Sequence, residues 1–321
     1  DRDRVQADLH GLQARTRSSE RPHAHSGASK GLTELESSRS IREIDVASIR
    51  EAVARLLVEA NYVIPPDILD ALRSAIESEP SPLGRQTLEQ LVRNYEVAAA
   101  ERVPVCQDSG VAVIMLDIGQ DVHFVGGALT DAVHAGVREG TRAGYLRWSV
   151  TGDPSRRIKM AGDDAPAAIH IELVPGDRVR LRVASKGFGA ENMSAMRMLV
   201  PADGVQGISD FVVETVDRAG ANACPPVIVG VGIGGTFEGA ALLAKRAVLR
   251  PIDQRHARAD LVELERDLLQ RVNGLGIGPQ GLGGRTTALA VNIEVQPTHI
   301  AGLPVAVNLG CHSTRRAEIE L

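Results

Sequence analysis

The sequence predicts a mixed α/β domain, with a helical N-terminal layer followed by a mixed sheet and flanking helices. Three observations carry this. Apolar residues first recur at helical spacing and then, from Val111 onward, gather into short runs of strand character. Aromatic residues are only 2 % of the chain although apolar residues make up 43 %, so the core has to be built by aliphatic packing of helices against sheet. The 32 glycines and 16 prolines supply the tight turns that such layering requires. At 321 residues there is enough chain for one sizeable core, and no internal repeat or linker interrupts positions 41–318. Residues 1–40 are polar and lack periodicity, which reads as a disordered tail ahead of a single domain over 41–321.

In chain order, EIDVASIREAVARLLVEANYVI sets Val46, Ile49, Val53, Leu56, Leu57 and Ala60 on one face of a helix. PPDILDALRSAIES, with proline at its first turn, and LGRQTLEQLVRNYEVAAAER complete the helical layer. VAVIMLDIG, VHFVGG, AAIHIELVPGDRVRLRVAS and PVIVGVGIGG then read as strands, with PGDR as the turn of a hairpin. Helices return over about 128–142, 207–219, 237–249 and 259–272, and RTTALAVNIEV and LPVAVNLG are strands again.

Charge narrows the function. A formal net charge of −5, from 36 basic and 41 acidic residues, gives no electrostatic case for nucleic acid or an anionic membrane surface. No run approaches the roughly 18 apolar residues of a membrane helix, and the first residues lack the apolar stretch of a signal peptide. Cytoplasm is the expected compartment. Three cysteines, an odd number in a chain with no export signal, argue against a disulfide framework.

The triplet Cys106, Gln107 and Asp108 in VPVCQDSGVAVIML stands at the mouth of a strand, where polar groups must be hydrogen-bonded, exposed or held for chemistry. Cys224 in ANACPPVIVG and Cys311 in VNLGCHSTRR also sit beside turns. No C-x-x-C spacing joins the cysteines, so one reading is three buried thiols acting as small hydrophobes. The other is a metal site assembled from distant segments, either a four-iron cluster with one open corner or a three-thiolate zinc site. Gly230, Gly232 and Gly235 form a G-x-G-x-x-G between a strand and a helix, but Asp253, at the spacing of a ribose-binding acid, follows no second strand. Close helix-to-sheet packing therefore competes with dinucleotide binding as the purpose of these glycines. The glycine loops at 185–199 and 273–287, with Asn192, Gln280 and Arg285, are either simple turns or cradles of N–H donors for a carboxylate. Taken singly, His299 in QPTHIAGLP and Arg147 in YLRWS read as a structural histidine and a surface charge.

Taken together, VCQDSG, KGFGAENMS, NACPPVIVGVGIGGTFEGAALLAKRAVLR, LGIGPQGLGGRTTALAVNIE, PTHIAGLPVAVNLGCH and RRA strongly resemble the α subunit, or N-terminal catalytic half, of class I iron–sulfur fumarate hydratases. The match runs in order over roughly 41–318. It implies an iron–sulfur hydro-lyase α-type domain in which Cys106, Cys224 and Cys311 ligate a [4Fe-4S] cluster whose fourth iron meets substrate. It further implies that Gln107 contacts substrate, that Asp108 transfers a proton with support from His299, and that Arg147 holds a substrate carboxylate. Gly187 and Gly189 would lie in the loop beside substrate. The implied reaction is the reversible hydration of fumarate to L-malate. Such chemistry needs a Lewis acid for the hydroxyl, cations for the carboxylates and a group that moves the proton on the adjacent carbon. L-Tartrate dehydratase α subunits share NACPP and LGIGPQGL, whereas GGRTTALAVNIE, PTHIAGLPVAV and KGFGAENMS look like the fumarate hydratases; fumarate is thus the expected substrate and tartrate the alternative. Ser109 stands where threonine is commoner and keeps the hydroxyl. The β half of single-chain relatives is missing, so the resemblance implies a separate β subunit, a hetero-oligomer, and further cations and a second acid/base group on the partner.

Overall fold

The computed structural model describes residues 41–159 and 164–321; the tail expected over 1–40 lies outside the described residues. A short strand, β1 (Arg42–Asp45), runs straight into α1 (Val46–Tyr62), and the carboxylate of Asp45 caps that helix by accepting from Ala47 N at 2.8 Å. The expected apolar face of α1 is buried from Val46 to Ala60. Prolines open α2 (Pro66–Ser78) and α3 (Pro82–Glu101), where a missing N–H loses no helical bond, and Ser81 caps α3 through Gly84 N at 3.1 Å. The chain continues as β2 (Val111–Gly119), β3 (Val122–Val125), α4 (Leu129–Ala143), β4 (Thr151–Asp153), β5 (Ile158–Lys159), β6 (Ala168–Val174) and β7 (Val179–Lys186). Next come α5 (Phe188–Glu191), β8 (Ala195–Leu199), α6 (Gly204–Ala219), β9 (Val227–Gly234) and α7 (Phe237–Leu249). The last elements are α8 (Ala259–Asn273), β10 (Ala288–Gln296), β11 (Leu303–Gly310) and β12 (Arg315–Glu320).

Two four-stranded mixed sheets, ordered β12-β7-β2-β6 and β10-β9-β11-β8, carry the described part of the fold. The expected hairpin is corrected here. PGDR reverses the chain between β6 and β7, but β2 lies between these strands, parallel to β6 and antiparallel to β7. The reason is the composition of β2: Ala112 through Leu116 are all buried, so the strand is apolar on both faces and belongs in the sheet interior with both edges paired, while β6 keeps an exposed stretch suited to an edge.

Helices α1 and α4 cover the first sheet, where Ile49, Val53 and Val133 meet Ile114, Leu116 and Leu181 in one core. Helices α6 and α8 cover the second, with Phe211, Val212 and Leu268 against Val229, Val231 and Ile293. Helix α7 packs on β9 through Ala240, Ala244 and Ala247, all buried. Gly230 and Gly232 lie inside β9 beneath it: a Cβ at Gly232 would stand 2.1 Å from Ala240 O, and one at Gly230 would stand 2.3 Å from Val248 N. These glycines thus serve close helix-to-sheet packing and do not form the strand-to-helix turn of a dinucleotide site; Asp253 lies in the turn after α7. No helix among the described residues is long and apolar enough to cross a membrane.

Strand register assembles the site. Val111 of β2 pairs with Lys186 of β7, Arg315 of β12 with Ser185, and Gly310 of β11 with Ile228 of β9. The entrances of β2, β9 and β12 and the exits of β7 and β11 are thereby placed beside the segments that carry the cysteines.

Candidate active site

Cys106 lies between α3 and β2, Cys224 ends a short 3-10 turn with φ of 53°, and Cys311 follows β11. All three are half-buried free thiols. His312 N donates to Cys224 O at 3.2 Å and ties two of the segments together. Burial pushes the Cys224 thiol up, and negative charge on Cys311, Cys106 and Asp108 pushes it the same way, so those three groups stand in electrostatic reach of Cys224. Among the described residues no three His, Cys, Asp or Glu side chains are placed to hold a single metal ion, which leaves the zinc alternative without geometric support.

Asp108 is held by the KGFG loop. Its Oδ2 accepts from Phe188 N at 2.9 Å and from Gly189 N at 3.5 Å. Gly187 permits that approach, since a Cβ there would lie 3.2 Å from Asp108 Oδ2 and 3.3 Å from Arg315 Nη2. Asp108 N donates to Cys106 Sγ at 3.4 Å, and Gln107 stays exposed with Oε1 3.7 Å from the same sulfur. Ser109 is buried and grips the main chain of Arg147 twice, donating to Arg147 O at 3.0 Å and accepting from Arg147 N at 2.9 Å. The hydroxyl that Ser109 shares with the commoner threonine is therefore what positions the exposed Arg147 next to the triplet.

His299 is not brought to this place. It is exposed in the turn between β10 and β11, where Thr298 Oγ1 donates to Gly235 O at 2.9 Å at the far end of β9 from Cys224. The length of β9 alone puts roughly 25 Å between that end and the cysteines. Within one chain His299 does not support Asp108.

Several residues at the site carried little signal in the sequence. Tyr95 of α3 shares a buried hydrogen bond with Nδ1 of His312. Burial holds the Tyr95 hydroxyl well above its usual range, with negative charge on Cys311 and Cys106 adding to the effect. Burial, and then the charge of Arg315, bring His312 down to about 4, so its imidazole is neutral at neutral pH. Adjacency to Cys311 was the one clue to His312; Tyr95 had none. Glu191 accepts from Lys245 Nζ at 2.5 Å and from Asn308 Nδ2 at 2.8 Å, with Lys186 Nζ at 3.1 Å. Burial would raise its carboxyl, but Lys186 and Lys245 hold it down at about 2.

The second glycine loop is a buttress. Its N–H donors at Arg285 and Thr286 are taken by the buried carboxylate of Glu79, at 3.0 Å and 2.8 Å. Burial alone would raise Glu79, yet these amides, Ser81 N and the Thr286 hydroxyl hold it below its ordinary value. Gln280 donates N and Nε2 to Pro225 O, both at 2.8 Å, and so braces the Cys224 turn.

A sequence model of the family described as fumarate hydratase (fumerase) matches residues 50–320. The chain belongs to this fumarate hydratase family. It is 40 % identical over 274 residues to a Methanocaldococcus jannaschii chain provisionally named L(+)-tartrate dehydratase subunit alpha, covering 84 % of this chain and 96 % of that one. The L(+)-tartrate dehydratase α subunits of Escherichia coli and Shigella sonnei are each 32 % identical over 284 residues, covering 88 % of this chain and 93 % of theirs. The family member is a hydro-lyase with the mixed α/β domain expected of it. The preference for fumarate over tartrate is not upheld, because these relatives carry the tartrate name.

Proposed function

We propose that this fumarate hydratase family member is the α subunit of an iron–sulfur hydro-lyase acting on a four-carbon dicarboxylate, with L(+)-tartrate as the leading substrate. The names of the relatives favour tartrate. The family description keeps fumarate and L-malate as the second reading. The observation that carries the reaction class is the convergence of the three cysteine segments near Asp108, whose N donates to Cys106 Sγ while His312 N, beside Cys311, donates to Cys224 O.

The residues fit a cluster. Three half-buried thiols beside the buried cations Lys186 and Arg315 are a donor set suited to a polynuclear centre. Cys106, Cys224 and Cys311 would hold three irons of a [4Fe-4S] cluster. When bound, the cluster would supply Lewis acidity toward a substrate hydroxyl. Asp108, oriented by the amides of Phe188 and Gly189, would move the proton on the neighbouring carbon. Arg147, set in place by Ser109, would pair with one carboxylate, and Gln107 would contact the substrate from the same turn. The second carboxylate needs a cation that this arrangement does not provide, so a separate β subunit would bring it together with a second acid/base group. The relatives' names as α subunits support that partner. Because His299 sits at the far end of β9, its role would require contact with the site of another copy of this chain.

The test is to produce the chain anaerobically with its candidate β chain, count iron and sulfide, and compare kcat/KM for L(+)-tartrate with that for L-malate and fumarate. A brown complex with about four irons per α chain and a preference for tartrate supports the leading reading. A preference for malate and fumarate replaces it with the second. A colourless complex without hydro-lyase activity overturns both, and full activity of this chain alone removes the partner.

A further inference from the structure

Arg315 opens β12 and is 2 % exposed. A buried guanidinium is strongly disfavoured unless charge of the opposite sign lies close by. Alternation along the strand separates it from Arg316, which points to the other side and pairs with Asp67. Arg315 makes no ion pair within 4.0 Å among the described residues. It donates Nη1 to the Asn61 amide oxygen at 2.9 Å and Nη2 to the Asp108 carbonyl at 2.7 Å, both neutral acceptors, and its buried Nε is unpaired.

A Cβ on Gly187 would stand 3.3 Å from Arg315 Nη2 and 3.2 Å from Asp108 Oδ2, so that carboxylate shares the neighbourhood of the guanidinium. A cavity of about 10 Å³ is lined by Arg315, Lys186, Ser185, Gly187, Ser313 and Cys311, so two basic residues border the same void as a cysteine. Lys186 and Lys245 share the single carboxylate of Glu191, which leaves that trio with one net positive charge. Arg315 adds a second, and Asp108 subtracts one. A four-iron cluster held by three thiolates would carry about one net negative charge and balance the positive charge that remains.

We propose that Arg315 is a positioning residue with two linked effects: its fork fixes the main chain of Asp108, and its permanent charge, with that of Lys186, stabilises the electron-rich state of the cluster. The proposal rests on the cluster reading above. Asp108 is thereby gripped at both ends, by Arg315 at the carbonyl and by the Phe188 and Gly189 amides at the carboxylate. A lysine would preserve the charge and lose the planar fork.

The α chain, assembled with its β partner, is compared with Arg315→Gln, Arg315→Lys and Lys186→Gln by iron content, by redox titration of the cluster read by electron paramagnetic resonance, and by kcat and KM. Arg315→Gln and Lys186→Gln should each shift the reduction equilibrium at least tenfold against the reduced state, about 59 mV for a one-electron couple. Arg315→Lys should stay near the wild-type potential while kcat falls about tenfold with KM little changed, as loss of Asp108 alignment requires. Should Arg315→Gln fail to fold, Lys186→Gln and Arg315→Lys still decide the two effects. Unchanged potentials in the charge-removing variants, or wild-type turnover in Arg315→Lys, overturn the proposal while the cluster stands. A wild-type complex that binds no iron overturns the cluster reading itself.

Discussion

Replacing Gly232 with alanine puts one methyl group into the seam between β9 and α7. Its Cβ would lie 2.1 Å from Ala240 O, 2.5 Å from Ala244 N and 2.8 Å from Leu243 Cβ, where ordinary contact begins at 3.4 Å. The closest atoms are backbone, so no rotamer change relieves the clash, and the helix must retreat by about 1.3 Å to restore ordinary contact. Ala240, Ala244 and Ala247 already present only methyl groups, and trimming Leu243 would leave its Cβ in place, so α7 offers no side-chain relief. Overpacking of this kind costs about 1–3 kcal/mol. The lower backbone entropy of unfolded alanine offsets about 0.5–1 kcal/mol of that. A net loss of about 1–2 kcal/mol would lower Tm by about 2–8 °C in a domain of this size. Urea unfolding should show a lower midpoint at unchanged slope. An unchanged or higher midpoint refutes the packing argument, and so does a nicotinamide cofactor that binds the wild type and is lost from the variant.

Further outcomes are expected at and near the site. Asp108→Asn keeps the cluster iron and loses about 10²- to 10⁴-fold in kcat, measured with the assembled complex; wild-type turnover would free Asp108 from proton transfer. Cys106→Ser, Cys224→Ser and Cys311→Ser each lose stable iron loading, read by iron and sulfide counts, because the chain has no fourth cysteine. Ser109→Ala releases both main-chain bonds to Arg147 and should raise KM more than it lowers kcat. Glu191 is held at about 2, below its ordinary 4.5, so the unfolded chain binds its proton first. Its stabilisation is complete above about pH 4.5, is lost as pH falls from there toward 2, and amounts to roughly 3 kcal/mol. Urea midpoints followed over that range should fall in the wild type and respond less in Glu191→Gln.

Much of the fold was readable because its signals are local. The burial of Val46, Ile49, Val53, Leu56, Leu57 and Ala60 on α1 follows from helical spacing, and α7 spans the expected 237–249. Short elements with weak patterns escaped: β1, β8 and β12 have too few alternating residues to stand out from loops, and Gly204 starts α6 one turn earlier than its apolar spacing suggests. At the site, Cys106, Gln107, Asp108, Gly187 and Gly189 do meet, and Ser109 brings Arg147 to them. The loop amides expected to cradle a substrate carboxylate are divided: those of Phe188 and Gly189 hold Asp108, and those of Arg285 and Thr286 are already satisfied by Glu79.

By itself the sequence determined the helical layer, the apolar strands, the three available thiols and the family, since each depends on residue type and near-neighbour spacing. Only the tertiary structure decided that β2 separates β6 from β7, that Gly230 and Gly232 admit α7, that Arg315 turns inward beside Cys311, and that His299 stands at the far end of β9. Those outcomes depend on which edges pair and which faces can be buried together across long stretches of chain, and spacing along a sequence does not encode distance across a sheet.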